Sequence, residues 1–586
     1  MAKTSPSPSL EHIRHTLAHL LAHAVLDSFP NAKLGIGPTI DNGFYYDFQL
    51  ERPFTLEDLK SLEKRMRNLI GQKLTMETLP MEDPAVQQYL AKQPFKQELL
   101  KEIQDRNEAA TFYRIGKFID LCRGGHVHNS SEIQPRAFSL SHVAGAYWRG
   151  DASRPMLQRI YGLAFQTEAE LQEELNRQAE AKKRDHKVLG PELDLFTFSE
   201  LVGSGLPLWT PRGTLVRHIL DTYVWELRSA AGYERVEIPH ITKKDLYEKS
   251  GHWQKFQDEL FKVTTREGHL FAMKPMNCPH HTQIYGRKQH SYRELPQRYA
   301  NTTMCYRDEQ TGELSGISRA RAFTQDDAHV FCRENQVEGE MKKVWNIVKA
   351  FYKASGFDLS VRLSLHDPKH PEKYLGDEKR WIAAEKQLRA LAKKEKADAV
   401  EAIGEAAFYG PKIDFLAKDS LGREWQVATI QLDMNLPERF DLTCVNEKGE
   451  HERIVMIHAA IMGSIERFMS ILIEHHAGAF PFWISPVQVE VIPVATKHNS
   501  RAKKLAQLLS DAGIRAHWDD ANETVGYKIR KAEKHKAPYM IVIGDKEKSM
   551  TRVSVRVRGK KDVRSVSLKT WITDLQKKNR TRALVL

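Results

Sequence analysis

The sequence predicts an α+β protein with several domains, because three different patterns follow one another along its 586 residues. The first part opens with a helix and mixes short strands with Gly-rich turns. The central part contains two strand-like runs that predict a hairpin, and the last part alternates strands with helices. Such alternation is typical of a small α/β domain with a mostly parallel sheet. A chain of this length is expected to divide into roughly three or four domains.

Four segments follow from these patterns: 1–166, 167–192, 193–484 and 485–586. The second is charged and poor in leucine, which predicts a solvated linker helix that ends near Gly190-Pro191, since this pair stops helices. In the third, apolar residues recur at helical spacing from Val216 to Leu227, and RVEIPHI follows as a predicted strand. The runs TTMCYR and AFTQDDAHVF predict the hairpin, and IVMIH predicts a strand that leads into a helix.

The composition is that of a globular protein without membrane-spanning segments. Hydrophobic residues make up 41% and charged residues 28% of the chain, an ordinary balance for a globular protein. No run approaches the roughly 18 apolar residues that a membrane-spanning helix needs, and the start has no apolar signal-peptide core. We therefore expect a cytoplasmic protein with no membrane partner. The five cysteines, an odd number, do not indicate a disulfide framework and leave thiols for metal binding or catalysis.

The net charge of +12 is unevenly distributed. From Ser485 to the C-terminus, 23 lysines and arginines stand against 10 aspartates and glutamates, whereas the preceding part holds 65 basic and 66 acidic residues. A basic domain beside a neutral body is typical of a segment that binds a polyanion such as RNA. The alternative interpretation is a bias that only improves solubility.

Several charged and aromatic side chains fall on the predicted hairpin and on the helix behind Gly463-Ser464: Arg307, Glu309, Arg319, Phe323 and Arg467. Arginines on strands and helices usually form ion pairs at the surface. The surrounding sequence favours another interpretation. CYRDEQTGELSGISRARAFTQDDAHVF resembles the second signature motif of class II aminoacyl-tRNA synthetases, GSIERF resembles the third, and the helix and strand ending at Pro239 resemble the first.

Further motifs resemble the threonyl-tRNA synthetase family: GHWQKF, KPMNCPHH, FTQDDAHVFC, FYGPKIDF, TIQLDMNLPERF and VMIHAAIMGS. The resemblance extends over nearly the whole chain, beginning at HTLAHLLAHAV. It implies an antiparallel-sheet catalytic core of class II, an N-terminal α+β editing domain and a C-terminal α/β domain that binds the anticodon. It also implies a homodimer.

The implied activity joins threonine to tRNA(Thr) through a threonyl-adenylate made with ATP and Mg²⁺, and hydrolyses misacylated Ser-tRNA(Thr). The sequence has no Gly-rich P-loop, so side chains must hold the phosphates. Rigid, bidentate guanidinium groups suit this task. The resemblance implies that Arg307 contacts the α-phosphate, that Arg319 and Arg467 hold the outer phosphates, that Glu309 contributes to ATP binding, and that Phe323 stacks on adenine.

Cys278, His329 and His458 are separated by 51 and 129 residues, which matches no compact zinc-finger pattern, and isolated buried residues of these types are usually structural. The resemblance implies that they bind one Zn²⁺ per subunit and that threonine coordinates it through its amino group and hydroxyl. Such a site rejects valine more strongly than a hydrophobic pocket does. Asp327 is implied to accept the hydroxyl hydrogen bond, and the other residues implied to line the amino-acid site are Gln325, Tyr409, Lys412, Gln426 and Ser464.

Serine carries the same amino alcohol, and a methylene-sized difference gives only about 1–3 kcal/mol of discrimination, so a second, hydrolytic site is expected. His15 and His19 lie one helical turn apart, and Cys122-Arg-Gly-Gly-His126 adds a thiol and an imidazole. From the residues alone, these four side chains equally predict a zinc site. The resemblance implies an editing pocket that also includes Lys96 and Asp120. The same four occur in alanyl-tRNA editing domains, so they indicate deacylation more than a particular amino acid. We assign His23 to packing or solvation.

In the last domain, the resemblance implies anticodon contacts from Asn522, Arg530, Lys536, Glu547 and Arg556, with Lys536 standing where arginine is common. Four departures from the family pattern are present. Ser315 replaces a usual histidine, Ala322 a usual glycine and Ala459 a common arginine, and we expect no ubiquitin-like domain ahead of HTLAH. Two alternatives remain: an RNA-binding regulator without aminoacylation, and an enzyme that only removes misattached serine.

Overall fold

The computed structural model describes residues 8–151, 153–545, 547 and 550–586. The chain forms two compact units, Met1–Ala179 and Glu180–Leu586. In the described part of the chain, every helix is too short or too polar to cross a membrane. The four segment boundaries expected from the sequence stay predictions.

The first unit combines helices with two antiparallel sheets. Its helices are α1 (Leu10–Ser28), α2 (Leu56–Gly71), α3 (Pro84–Leu90), α4 (Pro94–Asp105) and α5 (Glu168–Arg184), the last of which continues into the second unit. Its strands are β1 (Lys33–Leu34), β2 (Thr39–Ile40), β3 (Gly43–Gln49), β4 (Met76–Leu79), β5 (Phe112–Ile115), β6 (Phe118–Leu121), β7 (Phe138–Tyr147) and β8 (Met156–Ala164). One sheet has the order β1-β3-β8-β7 with β2 on β3, and the other has the order β4-β5-β6.

Helix α1 provides one wall of this unit. It begins at Ser9, whose side chain accepts a hydrogen bond from the His12 backbone N–H. Its apolar face, from Ile13 to Val25, packs in the core with α2 and β3. His15 and His19 are four residues apart and therefore share a face of the helix, as the sequence predicts.

The second unit is built on an eight-stranded sheet with the order β11-β16-β17-β24-β21-β20-β18-β19. Its interior pairs are antiparallel, and only the two outermost pairs are parallel. These strands are β11 (Glu234–Arg235), β16 (Gln297–Tyr306), β17 (Ala322–Cys332), β18 (Asp358–Leu365), β19 (Ala399–Ile403), β20 (Lys412–Lys418), β21 (Glu424–Asp433) and β24 (Val455–Ser464). The predicted antiparallel core is therefore confirmed.

Small sheets and helices surround this core. The remaining strands before residue 485 are β9 (Phe196–Thr197), β10 (Leu208–Trp209), β12 (Ile241–Lys243), β13 (Lys262–Thr264), β14 (Leu270–Met273), β15 (His290–Ser291), β22 (Thr443–Val445) and β23 (His451–Arg453). The helices are α6 (His186–Glu192), α7 (Pro211–Ala230), α8 (Lys244–Ser250), α9 (His252–Phe256), α10 (Cys278–Tyr285), α11 (Val337–Ser355), α12 (Glu378–Lys394), α13 (Asn435–Arg439) and α14 (Ile465–His476).

Two expectations for this region need correction. The run RVEIPHI, residues 235–241, is not a single strand. Only Arg235 lies in β11 and only Ile241 in β12, because the pairing with β16 ends before Pro239, which has no N–H to donate. The single linker helix predicted over 167–192 is two helices, α5 and α6. Asp185 separates them, because its side chain accepts the Lys187 N–H and starts a new helix. Pro191 lies inside the last turn of α6.

The C-terminal domain contains β25 (Val489–Pro493), α15 (Asn499–Asp511), β26 (Ala516–Trp518), α16 (Val525–Lys534), β27 (Tyr539–Ile543), β28 (Arg552–Val557), β29 (Val563–Ser567) and α17 (Leu568–Thr581). The sheet order is β26-β25-β27-β28-β29. Strands β26, β25 and β27 are parallel, whereas β27, β28 and β29 are antiparallel. The expectation of a mostly parallel sheet was wrong, because only two of its four strand pairs are parallel. The described residues of the connections on either side of β28 form no crossover helix, and adjacent strands there reverse direction.

We predict that G43A destabilises the first unit. A Cβ atom at Gly43 would lie 1.8 Å from the backbone oxygen of Gly162 on the neighbouring strand β8, so the two strands must separate. We expect the free energy of unfolding to fall by about 1–3 kcal/mol, which calorimetry would show as a lower unfolding temperature of this unit. The matched control is G71A, at a position in α2 with nothing within 4 Å of the added atom. Equal unfolding temperatures for the two variants would contradict this view of the sheet.

Candidate functional site

Cys278, His329 and His458 converge in the second unit, and every one is buried. Cys278 begins helix α10, and His329 and His458 are direct cross-strand partners on β17 and β24. His329 Nε2 lies 3.1 Å from His458 Nδ1. The three potential ligand atoms all lie within 4.8 Å of one another. One thiol and two imidazoles at this spacing form a donor set that suits a tetrahedral zinc ion with one open position.

In each of the two histidines, the ring nitrogen that does not face the other histidine contacts a further side chain. His458 Nε2 lies 2.9 Å from Asp433 Oδ2, and His329 Nδ1 lies 2.7 Å from His281 Nδ1. Such partners fix the orientation of metal-binding histidines. Sequence reasoning missed Asp433 and His281, although both lie in quoted motifs, QLDMN and KPMNCPHH. The contacts support the assignment of this cluster as a metal site.

The protonation of this cluster depends on its burial. Burial raises the pKa of Cys278 well above its ordinary value and lowers that of His329 well below it. Both shifts have one cause, since desolvation penalises a charged group. A bound divalent cation counters the penalty for a thiolate and requires neutral imidazoles, so the donor set is compatible with the ion.

The residues predicted to bind the amino acid lie around this cluster. The Tyr409 ring stacks on His458 with centroids 5.2 Å apart, and its hydroxyl donates to Gln431 Oε1 at 2.5 Å. Asp327 and Gln325 precede His329 on β17 at alternate positions, so all three side chains point to one face of the strand. Ser464 caps helix α14, because its Oγ accepts the Arg467 backbone N–H. The binding roles of these residues stay predictions.

Lys412 and Gln426 meet at a carboxylate that sequence reasoning missed. Asp414, 0% exposed, lies 3.1 Å from Lys412 Nζ and accepts a hydrogen bond from Gln426 Nε2 at 2.8 Å. It also accepts hydrogen bonds from Ser364, Thr429 and Arg362. One buried carboxylate therefore fixes two predicted site residues that come from different strands.

Two of the three predicted phosphate-binding arginines have no acidic partner among the described residues. The Arg307 guanidinium lies over the Phe323 ring at 5.1 Å, and that of Arg467 lies over Trp425 at 5.9 Å. Burial lowers the pKa of Arg467. Arg319, in contrast, donates to Glu309 at 2.8 Å and lies 3.2 Å from Glu313. Arg307 is half-buried and Arg467 is exposed. Cations without counter-ions are suited to bind an anionic ligand.

The loop between β16 and β17 carries Arg319 and the departure Ser315, and a buried pair lies behind it. His186 Nδ1 lies 2.6 Å from Glu474 Oε1, and Arg423 also donates to Glu474. Asp185, His186 and Glu474 lie close enough for a metal, but Arg423 and His186 already satisfy the buried carboxylate. We interpret this cluster as a structural support. Of the other departures, Ala322 is buried opposite Tyr306, and the Ala459 carbonyl accepts from buried Arg228.

The first unit holds a separate cavity of about 700 Å³. It is lined by five residues predicted for editing: His15, His19, Lys96, Asp120 and Cys122. The sixth, His126, lies behind them, with Nε2 3.1 Å from Cys122 Sγ. Cys122 Sγ also lies 3.3 Å from His15 Nε2. Gly124 and Gly125 adopt φ of +90° and +82°, which lets the CRGGH loop turn sharply around the thiol.

A buried ion pair closes one side of this cavity. Lys96 Nζ lies 2.6 Å from Asp120 Oδ1, and both residues are almost fully buried. Two tyrosines that sequence reasoning missed donate to the same carboxylate, Tyr46 at 2.5 Å and Tyr89 at 2.8 Å. They come from β3 and α3, so sequence spacing gave no signal for them.

Burial keeps the groups around the thiol uncharged at neutral pH. It raises the pKa of Cys122 to about 12 and lowers that of His126 to about 2. The pKa values of His15 and His19 are lowered by the same cause. A thiol with so high a pKa is a poor nucleophile, because the thiolate is the reactive form. The arrangement is therefore better suited to position water by hydrogen bonds than to form a covalent intermediate.

The residues predicted to contact the anticodon lie in the C-terminal domain. Asn522 and Arg530 are exposed, and Lys536 follows α16 with φ of +57°. Glu547 accepts hydrogen bonds from Gly544 N and Ser554 Oγ, and Arg556 pairs with Glu533 at 2.7 Å. Glu547 and Arg556 therefore have partners within the domain, whereas Asn522 and Arg530 face solvent.

Comparisons with known families agree with this architecture. The tRNA synthetase class II core domain (G, H, P, S and T) matches residues 261–476, and the anticodon binding domain matches 488–578. The threonyl and alanyl tRNA synthetase second additional domain matches residues 110–161, which include Asp120, Cys122 and His126. With the antiparallel sheet and its unpaired arginines, these matches define a class II aminoacyl-tRNA synthetase.

Whole-chain relatives narrow this class. A threonine–tRNA ligase from Gloeobacter violaceus is 46% identical over 98% of this chain and 93% of its own length. One from Thermus thermophilus is 45% identical over 99% of this chain and 90% of its own length. The chain belongs to the threonine–tRNA ligase family.

Solved structures show the same relationship. The structure of the RNA binding domain of threonyl-tRNA synthetase from Cryptosporidium parvum has a TM-score of 0.63 at 34% identity, covering 67% of this chain and 98% of that chain. Giardia lamblia prolyl-tRNA synthetase in complex with prolyl-adenylate has a TM-score of 0.55 at 16% identity, covering 70% of this chain and 82% of that chain. This second similarity is one of fold alone.

We predict that G316A weakens ATP binding through the loop that carries Arg319. Gly316 has φ of +53°, and an added Cβ would lie 2.4 Å from His186 Nε2, so the loop must move. We expect the ATP KM in ATP–pyrophosphate exchange to rise by about tenfold or more. H186A should recover part of the loss in G316A by removing the shorter of two clashes, because Lys187 Cγ, 2.7 Å from the added atom, remains. The control is G312A in the same loop, where nothing lies within 4 Å; an equal rise there would refute the argument.

Proposed function

We propose that this chain is a threonine–tRNA ligase that makes threonyl-adenylate, charges tRNA(Thr) and clears Ser-tRNA(Thr). The observation that carries the proposal is the convergence of Cys278, His329 and His458 within a class II core. A hydrophobic pocket gives little discrimination between threonine and valine, whereas a site that demands a hydroxyl rejects valine strongly. Membership of the threonine–tRNA ligase family supports the same substrate.

We assign ATP to the unpaired Arg307 and Arg467 together with Arg319, which pairs with Glu309 and Glu313. In amino-acid activation the substrate carboxylate attacks the α-phosphate of ATP, and negative charge grows on the phosphate oxygens. Arg307 is suited to the α-phosphate, and Arg319 and Arg467 to the outer phosphates, with Mg²⁺ bound to the nucleotide. The Phe323 ring beside Arg307 offers a stacking surface for adenine. Guanidinium groups held before the reaction stabilise its transition state without reorganising.

We assign the amino acid to the face that carries His329. Zn²⁺ held by Cys278, His329 and His458 would supply Lewis-acid coordination for the amino group and hydroxyl of threonine. Asp327 accepts the hydroxyl proton in a hydrogen bond, and Tyr409 covers one side of the pocket through its stack on His458. Lys412 and Gln426, both held by Asp414, line the remaining side with Gln325 and Ser464. In this arrangement the carboxylate of threonine is directed towards the ATP arginines.

We assign removal of serine to the cavity of the first unit. Lys96, held by Asp120, supplies a positive charge, and His15, His19 and Cys122 supply polar atoms for a water molecule and a ribose. The match to the threonyl and alanyl second additional domain supports deacylation. A zinc site formed by His15, His19, Cys122 and His126 is the second candidate, because their donor atoms also lie within 4.8 Å of one another.

The proposal also covers the binding of tRNA, the formation of a homodimer and the location in the cell. The basic C-terminal domain is suited to bind the tRNA anticodon, with exposed Asn522 and Arg530 as candidate contacts. A homodimer is supported by apolar side chains exposed near the β9–β10 hairpin, among them Leu201 at 100% and Val202 at 44%. The cytoplasmic location expected from the sequence stays a prediction. A regulator without catalysis is disfavoured, because the arginines and the metal-binding side chains are all present.

The first test is ATP–pyrophosphate exchange with each amino acid, with zinc measured on the same sample. We expect exchange with threonine, very little with valine, and about one zinc per chain, since three ligands and an open position define the site. C278A should lose both zinc and exchange, whereas C332A, which removes a buried thiol outside the site, should retain them. A folded parent protein without zinc, or with equal exchange for valine and threonine, would overturn the assignment.

The second test concerns editing. We expect H15A/H19A to abolish deacylation of Ser-tRNA(Thr), because two of the side chains that face the cavity are lost, while threonine exchange is unchanged. The control is H23A, one turn further along α1, where the ring stacks on Phe118 and does not line the cavity. Deacylation by the double variant at the parent rate would show that the editing site lies elsewhere. Loss of stoichiometric zinc from the first unit in H15A/H19A would favour the metal alternative.

A further inference from the structure

A buried lysine lies directly beneath the amino-acid site. Lys274 is 0% exposed and follows strand β14. Its backbone is fixed on both sides, because its N–H donates to His240 O and its carbonyl accepts from Tyr306 N. Burial of an ammonium group is costly unless acceptors surround it. The contacts of its Nζ atom therefore define what this lysine does.

The ammonium group of Lys274 donates to two side chains. One is Asn277 Oδ1 at 2.8 Å, and the other is Thr303 Oγ1 at 3.0 Å. An ammonium has three donors and no acceptor, so the oxygen of the Asn277 amide must face it. The amide nitrogen is thereby directed away from Lys274.

The amide nitrogen of Asn277 faces the predicted substrate contacts. It donates to Asp327 Oδ2 at 3.1 Å and lies 3.5 Å from Gln325 Oε1. Asn277 is itself 0% exposed, so no bulk water competes for these bonds. One carboxylate oxygen of Asp327 is thus occupied, and Oδ1 is left available on the side of His329, whose Nε2 lies 3.8 Å away.

We propose that Lys274 is a positioning residue that contributes to substrate specificity. Through Asn277 it fixes the Asp327 carboxylate, so that one carboxylate oxygen accepts a hydrogen bond from the hydroxyl of the amino-acid substrate. This inference rests on the proposed function and adds a residue to it. A relay of three buried side chains holds its last member more rigidly than a single contact does. Substrates that carry a β-hydroxyl gain from that rigidity, and substrates without one do not.

The test is kcat/KM in ATP–pyrophosphate exchange for threonine, serine and valine in K274M. We expect the values for threonine and serine to fall by about tenfold or more, and that for valine to stay within about twofold, because valine makes no hydroxyl contact. The ATP KM and the zinc content should match those of the parent. T303V is the matched control: it removes the other acceptor of Lys274 and leaves the bond to Asn277, so threonine preference should persist.

A second measurement uses D327N. Once the carboxylate is absent, adding K274M should lower threonine kcat/KM no further, because coupled residues are non-additive. Equal losses for all three amino acids, or the full K274M loss in the D327N background, would overturn the proposal. If K274M does not fold, N277A is measured instead. This variant removes the link between Lys274 and Asp327, while Lys274 keeps its hydrogen bond to Thr303. The outcomes that support or overturn the proposal are the same as for K274M. Failure of the parent itself to activate threonine would instead reject the proposed function.

Discussion

The pairing of strands β17 and β24 is the constraint on which the arrangement of side chains in the second unit depends. His329 and His458 are direct partners in this pairing, and Gln431 of β21 pairs with His458 on its other side. Side chains alternate between the faces of a strand, so a slip of one residue would turn an imidazole to the opposite face. Such a slip would separate the predicted metal ligands His329 and His458, whereas Asp327 and His329 would stay on a common face because both lie on β17.

A local shift in the pairing of β17 with β24 is stabilised by hydrogen bonds to a buried carboxylate. Between Gln325 and Asp327 the pairing with β24 shifts, and the Asp326 carboxylate accepts the backbone N–H groups of Ile461 and Met462. Burial raises the pKa of Asp326 to about 7, and nearby Arg228 opposes that shift. The irregularity places Ser464, and with it the start of helix α14, opposite Gln325. The same feature that fixes the histidines therefore also orients the helix that carries Arg467.

Charged groups of the second unit fall into two classes. Asp414, Glu474 and Lys274 have several partners each, and they fix side chains that arrive from distant parts of the chain. Arg307 and Arg467 have no acidic partner among the described residues. Satisfied networks give rigidity, whereas unpaired cations give binding capacity. By this criterion Arg307 and Arg467 are available to a ligand, whereas Arg319 and Lys412 are already paired with carboxylates.

The sequence by itself determined the class of fold, the hairpin and helix α1, because motifs and periodicity act over short distances along the chain. It indicated the predicted metal ligands Cys278, His329 and His458 only through the resemblance to a family. It also indicated the basic C-terminal domain. Only the tertiary structure decided which side chains support the sites: Asp414, Asp433, Tyr46, Tyr89 and Lys274. These residues come from separate strands and helices, and their contacts depend on sheet register. The mixed sheet of the C-terminal domain and the break at Asp185 were missed for a related reason, since connection geometry and a capping hydrogen bond outweighed the local pattern.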